Sequence, residues 1–108
     1  MSAKIILPPD ACVRLRLWTP EQGGRSRPIV AGFRGLVRPA GSDADYGVQL
    51  EPLGQDLKPG TSGKAQLWFL FREYRDRLAV DREFALREGA IQIGEGHVLD
   101  TEGESAPH

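Results

Sequence analysis

The feature that most constrains this chain is a two-residue alternation enclosed by turn residues. Val13, Leu15 and Leu17 alternate with Arg14, Arg16 and Trp18. Successive side chains of a strand point to opposite faces, so this segment reads as a strand with one face in a core and one in water. Strand signals of this kind dominate the sequence. Residues 19–28 hold two glycines and two prolines with no apolar period, and read as a loop. Ile29 to Val37 reads as a second strand, interrupted by Gly32 and Gly35, and such glycines mark a bulge or a close backbone approach. Residues 39–45 form a polar loop, and Tyr46 to Leu50 a third, short strand.

Residues 51–63 show no clear element, although Pro59-Gly60 is a strong turn signal. Lys64 to Phe71 is the most apolar stretch and reads as a central strand, or one covered on both faces. Residues 72–83 are dense in charge. Tyr74 and Leu78, four apart, allow a short helix there, and a long loop fits equally. Phe84 to Glu88 and Ile91 to Leu99 read as the last two strands, with Gly89 supplying the positive φ that a tight hairpin needs. Residues 1–10 read as an N-terminal extension, 11–99 as the folded domain, and 100–108 as a disordered acidic tail. Six short strands separated by turns predict an all-β domain, an antiparallel barrel or sandwich. Closing the sheet would remove the exposed edges that a small β domain must manage.

A chain of 108 residues supports one domain with one core. The net charge of -1 argues against a purely electrostatic grip on nucleic acid. With the single cysteine Cys12, no intrachain disulfide can form, which fits a reducing, cytoplasmic setting. The apolar run Ile5 to Leu7 is too short for a signal-peptide core or a bilayer span, so no membrane association is expected.

Motifs for catalysis and cofactors are weak. Gly60 to Ala65 contains a Gly-Lys pair, but the leading glycine is too close and Ala65 offers no Mg²⁺ ligand. Gly94-Glu95-Gly96 lacks the third glycine of a dinucleotide loop and sits within a strand. Cys12, His97 and His108 make no metal-ligand cluster, and a Cys–His nucleophile would need a contact that sequence does not provide. Asp43 and Asp45 flank a turn, where such residues commonly satisfy local backbone donors. No enzymatic activity and no cofactor are expected.

The arginines carry more information. Eleven arginines stand against three lysines, and Arg25, Arg27, Arg34 and Arg38 fall close together. On one end of a barrel they would meet phosphate or carboxylate groups with bidentate geometry, or form a solvated, partly self-paired surface. Trp18 and Trp68 are candidate stacking platforms for bases, although burial is the commoner fate of tryptophan.

Two segments add a family resemblance. The first is Glu21-Gln22-Gly23-Gly24-Arg25, followed by Arg27-Pro28 and Gly32-Phe33-Arg34. The second is Phe84-Ala85-Leu86-Arg87-Glu88-Gly89, followed by Ile93-Gly94-Glu95-Gly96. In order and approximate spacing, with Pro59-Gly60 between them, these resemble the C-terminal β-barrel domain of bacterial elongation factor Tu across residues 11–99. The resemblance implies a six-stranded antiparallel Greek-key barrel without the GTPase domain of that family. It also implies contact with tRNA or another structured RNA, or with a translation component, through Arg25 and through Arg87, Glu88 and Gly89. The sequence departs from the family pattern at Pro39 to Asp43, where the family has an Arg-Thr-Thr-Asp stretch, at Ser26, at Ala90 and at His97. Two roles are therefore expected for a stand-alone module: RNA binding through the Arg25–Arg38 end and the 87–89 hairpin, or protein contact or self-association through an apolar barrel face.

Overall fold

The computed structural model describes residues 8–101. The run Ile5 to Leu7, the first seven residues of the N-terminal extension, the acidic tail beyond Thr101 and His108 lie outside the described residues. Six strands are formed: β1 (Ala11–Leu17), β2 (Phe33–Pro39), β3 (Tyr46–Pro52), β4 (Ser62–Phe69), β5 (Glu83–Glu88) and β6 (Ile91–Thr101). They close into an antiparallel barrel in the order β1-β4-β3-β2-β5-β6. β2, β3 and β4 follow one another as neighbours, and β5 returns beside β2, which is the Greek-key arrangement. Among the described residues no helix is long and apolar enough to cross a membrane.

The alternation in β1 is realised as read. Val13, Leu15 and Leu17 are fully buried, while Arg14 and Arg16 are exposed. Val37, Val48, Leu50, Leu67, Leu86 and Val98 complete the interior from the other five strands. Each such aliphatic side chain removed from water contributes roughly 1.5–3 kcal/mol, the main term available to a domain this small.

The structure departs from the sequence reading at the ends of several strands: β3 runs on to Pro52, β4 already begins at Ser62 and β5 at Glu83. β2 begins at Phe33, not Ile29, because Ile29 leaves the barrel to form a bridge with Leu57. The two residues exchange backbone hydrogen bonds of 2.8 and 3.0 Å, and the chain then turns at Gly32. The same bridge gives order to the 51–63 segment. β4 ends at Phe69: Leu70 donates its N–H to Gly47, and Phe71 points into solvent, 63% exposed. The charged 72–83 segment is a loop with a single 3₁₀ turn at Arg72–Tyr74. Leu78 anchors it in the core and Tyr74 packs against Tyr46 at 4.9 Å. Finally, β6 extends to Thr101, because Asp100 and Thr101 still find Cys12 and Ala11 as partners beyond a bulge in the β1–β6 ladder.

The buried Asp10 ties the 72–83 loop to the barrel. Its Oδ2 accepts from the Phe69 N–H and from Arg72 Nη1, each at 2.7 Å, and its own N–H donates to Leu67. One carboxylate thereby joins the start of β1, the end of β4 and the loop that follows.

β6 lies unusually close to β1. A Cβ on Gly96 would sit well inside contact with the Arg14 carbonyl oxygen, and 2.9 Å from both Leu15 Cδ2 and Phe84 Cζ. The obstacle is partly backbone, so it cannot swing away. Gly96→Ala is expected to destabilise the fold by about 1–3 kcal/mol, a fall of roughly 4–8 °C per kcal/mol for a domain of this size. Thermal unfolding followed by circular dichroism measures it, and an unchanged midpoint would refute this account of the glycine.

Candidate functional site

Arg25, Arg34, Arg38, Arg87 and Glu88, singled out from sequence, lie along the wall built by β2 and β5. The shape of the preceding loop explains how Arg25 gets there. Thr19 caps a 3₁₀ turn at Pro20–Gln22, with reciprocal bonds between its side chain and the Gln22 N–H, and between the Gln22 side chain and the Thr19 N–H. Gly23 ends the turn at φ 93, a left-handed conformation that glycine adopts without strain. Gly24 then packs so tightly on Trp18 that a Cβ would lie 2.6 Å from its carbonyl oxygen. The chain is thereby aimed across the barrel mouth, and Arg25 reaches β5.

Arg25 makes three contacts there. Its Nη1 pairs with Glu88 Oε2 at 3.1 Å, its Nε donates to the Arg27 carbonyl at 2.9 Å, and its guanidinium lies 4.9 Å from the Phe33 ring centroid. Its side chain keeps only 18% exposure. Arg25 is a staple between the 19–28 loop and the β5–β6 hairpin. Gly89 turns that hairpin with φ 62, as its position in the sequence requires.

The other arginines lie along the same wall. Arg38 is held bidentately by Asp45 at 2.7 and 3.1 Å. That hydrogen bond pushes the Arg38 guanidinium further towards its protonated form, against an opposing desolvation and with additional support from the charges of Asp45 and Asp43. Arg87 approaches the same carboxylate at 3.6 Å and donates to the Ala90 carbonyl at 2.9 Å. Arg34 donates to Gln49 at 3.3 Å. Arg34 and Arg27 are exposed and have no ion pair among the described residues. The arginines do not share one barrel end: Arg25 lies by Phe33 at the start of β2 and Arg38 near its end, with Arg34 and Arg87 between them along the wall and Arg27 exposed in the adjoining loop. Arg25, Arg38 and Arg87 are partly neutralised, which leaves Arg27 and Arg34 as the available cations.

Beside Arg38 the wall is indented. A cleft of about 350 Å³ is lined by Ala85, the 39–42 turn, Glu83, Gln92 and Glu95. Glu95 is already occupied: both its oxygens accept from Trp18 Nε1, at 2.9 and 3.0 Å, and Arg16 lies 3.7 Å away. Trp18 is therefore held in place by its indole N–H, and Trp68 is buried at 7% exposure. Trp68 is therefore not an open stacking platform, whereas Trp18 stays half-buried.

Strand register separates the residues considered for catalysis. Cys12 stands opposite Gln66 and Asp100, whereas His97 stands opposite Arg14 and Glu83. Among the described residues no group of three or more His, Cys, Asp or Glu is placed to hold a metal ion. Two arrangements escaped the sequence reading: the buried Asp10–Arg72 pair, and a row of basic side chains across β4, β1 and β6. Both depend on cross-strand register, which no local pattern encodes. No protein-family model matches the chain, and no curated protein is significantly similar to it.

Partial burial pushes the Cys12 thiol above its ordinary range, and the nearby Asp100 adds to this while Lys64 works against it. The thiolate is the reactive form, and each unit of upward shift costs about a tenfold loss of thiolate at a pH below the pKa. Iodoacetamide labelling of native Cys12 at pH 8 should therefore be slower than in urea, and should rise further with pH than an ordinary thiol does. Equal native and unfolded rates at pH 8 would contradict this.

Proposed function

We propose that this barrel is a non-enzymatic binding module whose β2–β5 wall contacts the phosphate backbone of tRNA or another structured RNA, in the manner of the C-terminal domain of elongation factor Tu. One observation carries the proposal: Arg25, Arg34, Arg38 and Arg87, separate in sequence, are gathered along β2 and β5, three of them against Glu88 and Asp45, with Arg27 exposed in the adjoining loop. Guanidinium groups suit phosphate through their planar pair of donors. The six-stranded Greek-key barrel and the order of the motifs around Gly23-Gly24-Arg25 and Arg87-Glu88-Gly89 support the same reading. The residues that would meet RNA first are Arg27 and Arg34. Arg25, Glu88 and Gly89 shape the surface, and Asp45 restrains Arg38 and Arg87.

A protein-contact role has its own support in Leu70 and Phe71. Among the described residues they are the one pair of exposed large hydrophobics adjacent in sequence, and they flank Tyr74 and Tyr46 at the opposite end of the barrel from Arg25. Light scattering after size exclusion distinguishes self-association through this patch, and Phe71→Ser should abolish any dimer found.

Fluorescence titration of labelled tRNA at low salt should give saturable binding that weakens with added salt. Arg27→Ala and Arg34→Ala should each reduce the salt slope by about 1. Asp45→Asn, which releases two guanidiniums, should strengthen binding. The absence of saturable binding at low salt would sink the RNA role.

A further inference from the structure

The wall opposite β2 carries a second basic surface. Around the barrel β1 lies three strands from β2, so its outer face points away from the arginines discussed above. The register places Arg14 of β1 directly opposite Lys64 of β4 on one side and His97 of β6 on the other. Val13 and Leu15, on either side of Arg14, are fully buried, so Arg14 projects outward; Lys64 is likewise exposed and His97 half-buried. Directly opposed side chains on neighbouring antiparallel strands have Cβ atoms only about 4.5–5.5 Å apart, and like charges so placed repel. Arg14 and Lys64 have no carboxylate within ion-pair distance among the described residues.

Acidic residues surround the row without pairing with Arg14 or Lys64 among the described residues: Glu51 stands opposite Gln66, two residues along β4 from Lys64, and Asp56 lines the same surface cleft as Lys64. Glu83 stands beyond His97 on β5. Glu95, in the neighbouring row, is held by Trp18 and Arg16. Asp100 faces Cys12 in the row on the other side. Arg16, opposite Ser62, adds a fourth basic group and a hydroxyl at the edge of the patch. Several arginines of this barrel are given an acid: Arg25 has Glu88, Arg38 has Asp45 and Arg72 has Asp10. Arg14 and Lys64, directly opposed across the β1–β4 ladder, are given none among the described residues.

We propose that this row is an oxyanion site that seats a phosphate group, with the Arg14 guanidinium as its centre, the Lys64 ammonium as a second charge and His97 as a third donor. Arg14 supplies two parallel N–H donors, and Lys64 a compact charge able to follow the ligand. A bound phosphate removes the cross-strand repulsion, so ligand binding and fold stability are coupled at this site. The inference does not depend on RNA binding by the β2–β5 wall, because a rigid duplex contacting one wall leaves the other free.

The test uses inorganic phosphate as the probe, with chloride at matched ionic strength as the control. In ¹H–¹⁵N spectra of the full chain, phosphate should produce saturable shifts at residues 14, 64 and 97 and their strand neighbours. In the Arg14→Gln, Lys64→Gln double variant, affinity should fall about tenfold or more. Phosphate should raise the thermal midpoint of the natural chain and leave that of the variant unchanged. The variant without ligand should melt no lower than the natural chain, since it loses a repulsion, and this separates loss of the site from loss of the fold. If tRNA displaces phosphate from this row, the ligand is a phosphodiester backbone; if it does not, the ligand is a small phosphorylated molecule. Either result supports the site. Shifts that never saturate, that chloride reproduces, or that persist at full strength in the double variant would overturn it. Loss of tRNA binding on Arg27→Ala with phosphate shifts intact would leave this site standing and place RNA on the other wall.

Discussion

Everything in this molecule depends on β6 closing the sheet. It is the longest strand, it pairs with β5 along one edge and with β1 along the other, and without it the barrel would have two open edges. Closure brings β6 against the carbonyls of Arg14 and Arg16 more tightly than a side chain allows, which is why Gly94 and Gly96 occupy the inward positions there. Phe84 and Leu15 fill the space that Gly96 leaves empty. The Gly94-Glu95-Gly96 sequence, superficially like part of a nucleotide loop, is a packing device.

The same closure decides what the charged residues do. A barrel of this size has little interior, so most polar side chains must lie on its outer walls, where register chooses their neighbours. Asp45 meets Arg38 and Arg87, Glu88 meets Arg25, and Glu95 meets Trp18 and Arg16. These contacts are mostly exposed, and such pairs contribute only about 0–1 kcal/mol each to stability. Their larger effect is on the field presented to a partner, since they mute some cations and leave Arg14, Lys64, Arg27 and Arg34 without a carboxylate. The near-zero net charge is thus an average over walls of different character.

Much of the fold was legible in advance. The alternation of β1, the hairpin at Gly89 and the six-strand count followed from side-chain period and turn chemistry, which are local properties. The Ile29–Leu57 bridge was not legible, because each residue sits in a segment with no period of its own and becomes extended only by meeting the other. The role of Asp10 was hidden for a similar reason: an acid before a strand resembles any surface acid until Phe69 and Arg72 are brought to it. At the β2–β5 wall, composition pointed to arginine density, yet it could not separate a stapling residue such as Arg25 from an available one such as Arg34.

The sequence by itself determined an all-β fold, with the Val13-Leu15-Leu17 face inside and arginines outside. Alternation and turn residues act over a few positions, and burial of apolar surface enforces them whatever the partner strand. Only the tertiary structure decided which strands are neighbours, and therefore which charges face each other. Cross-strand distance is set by register between residues far apart in the chain: Arg14 lies opposite Lys64 and His97 because of how the sheet closes, and no local pattern carries that information.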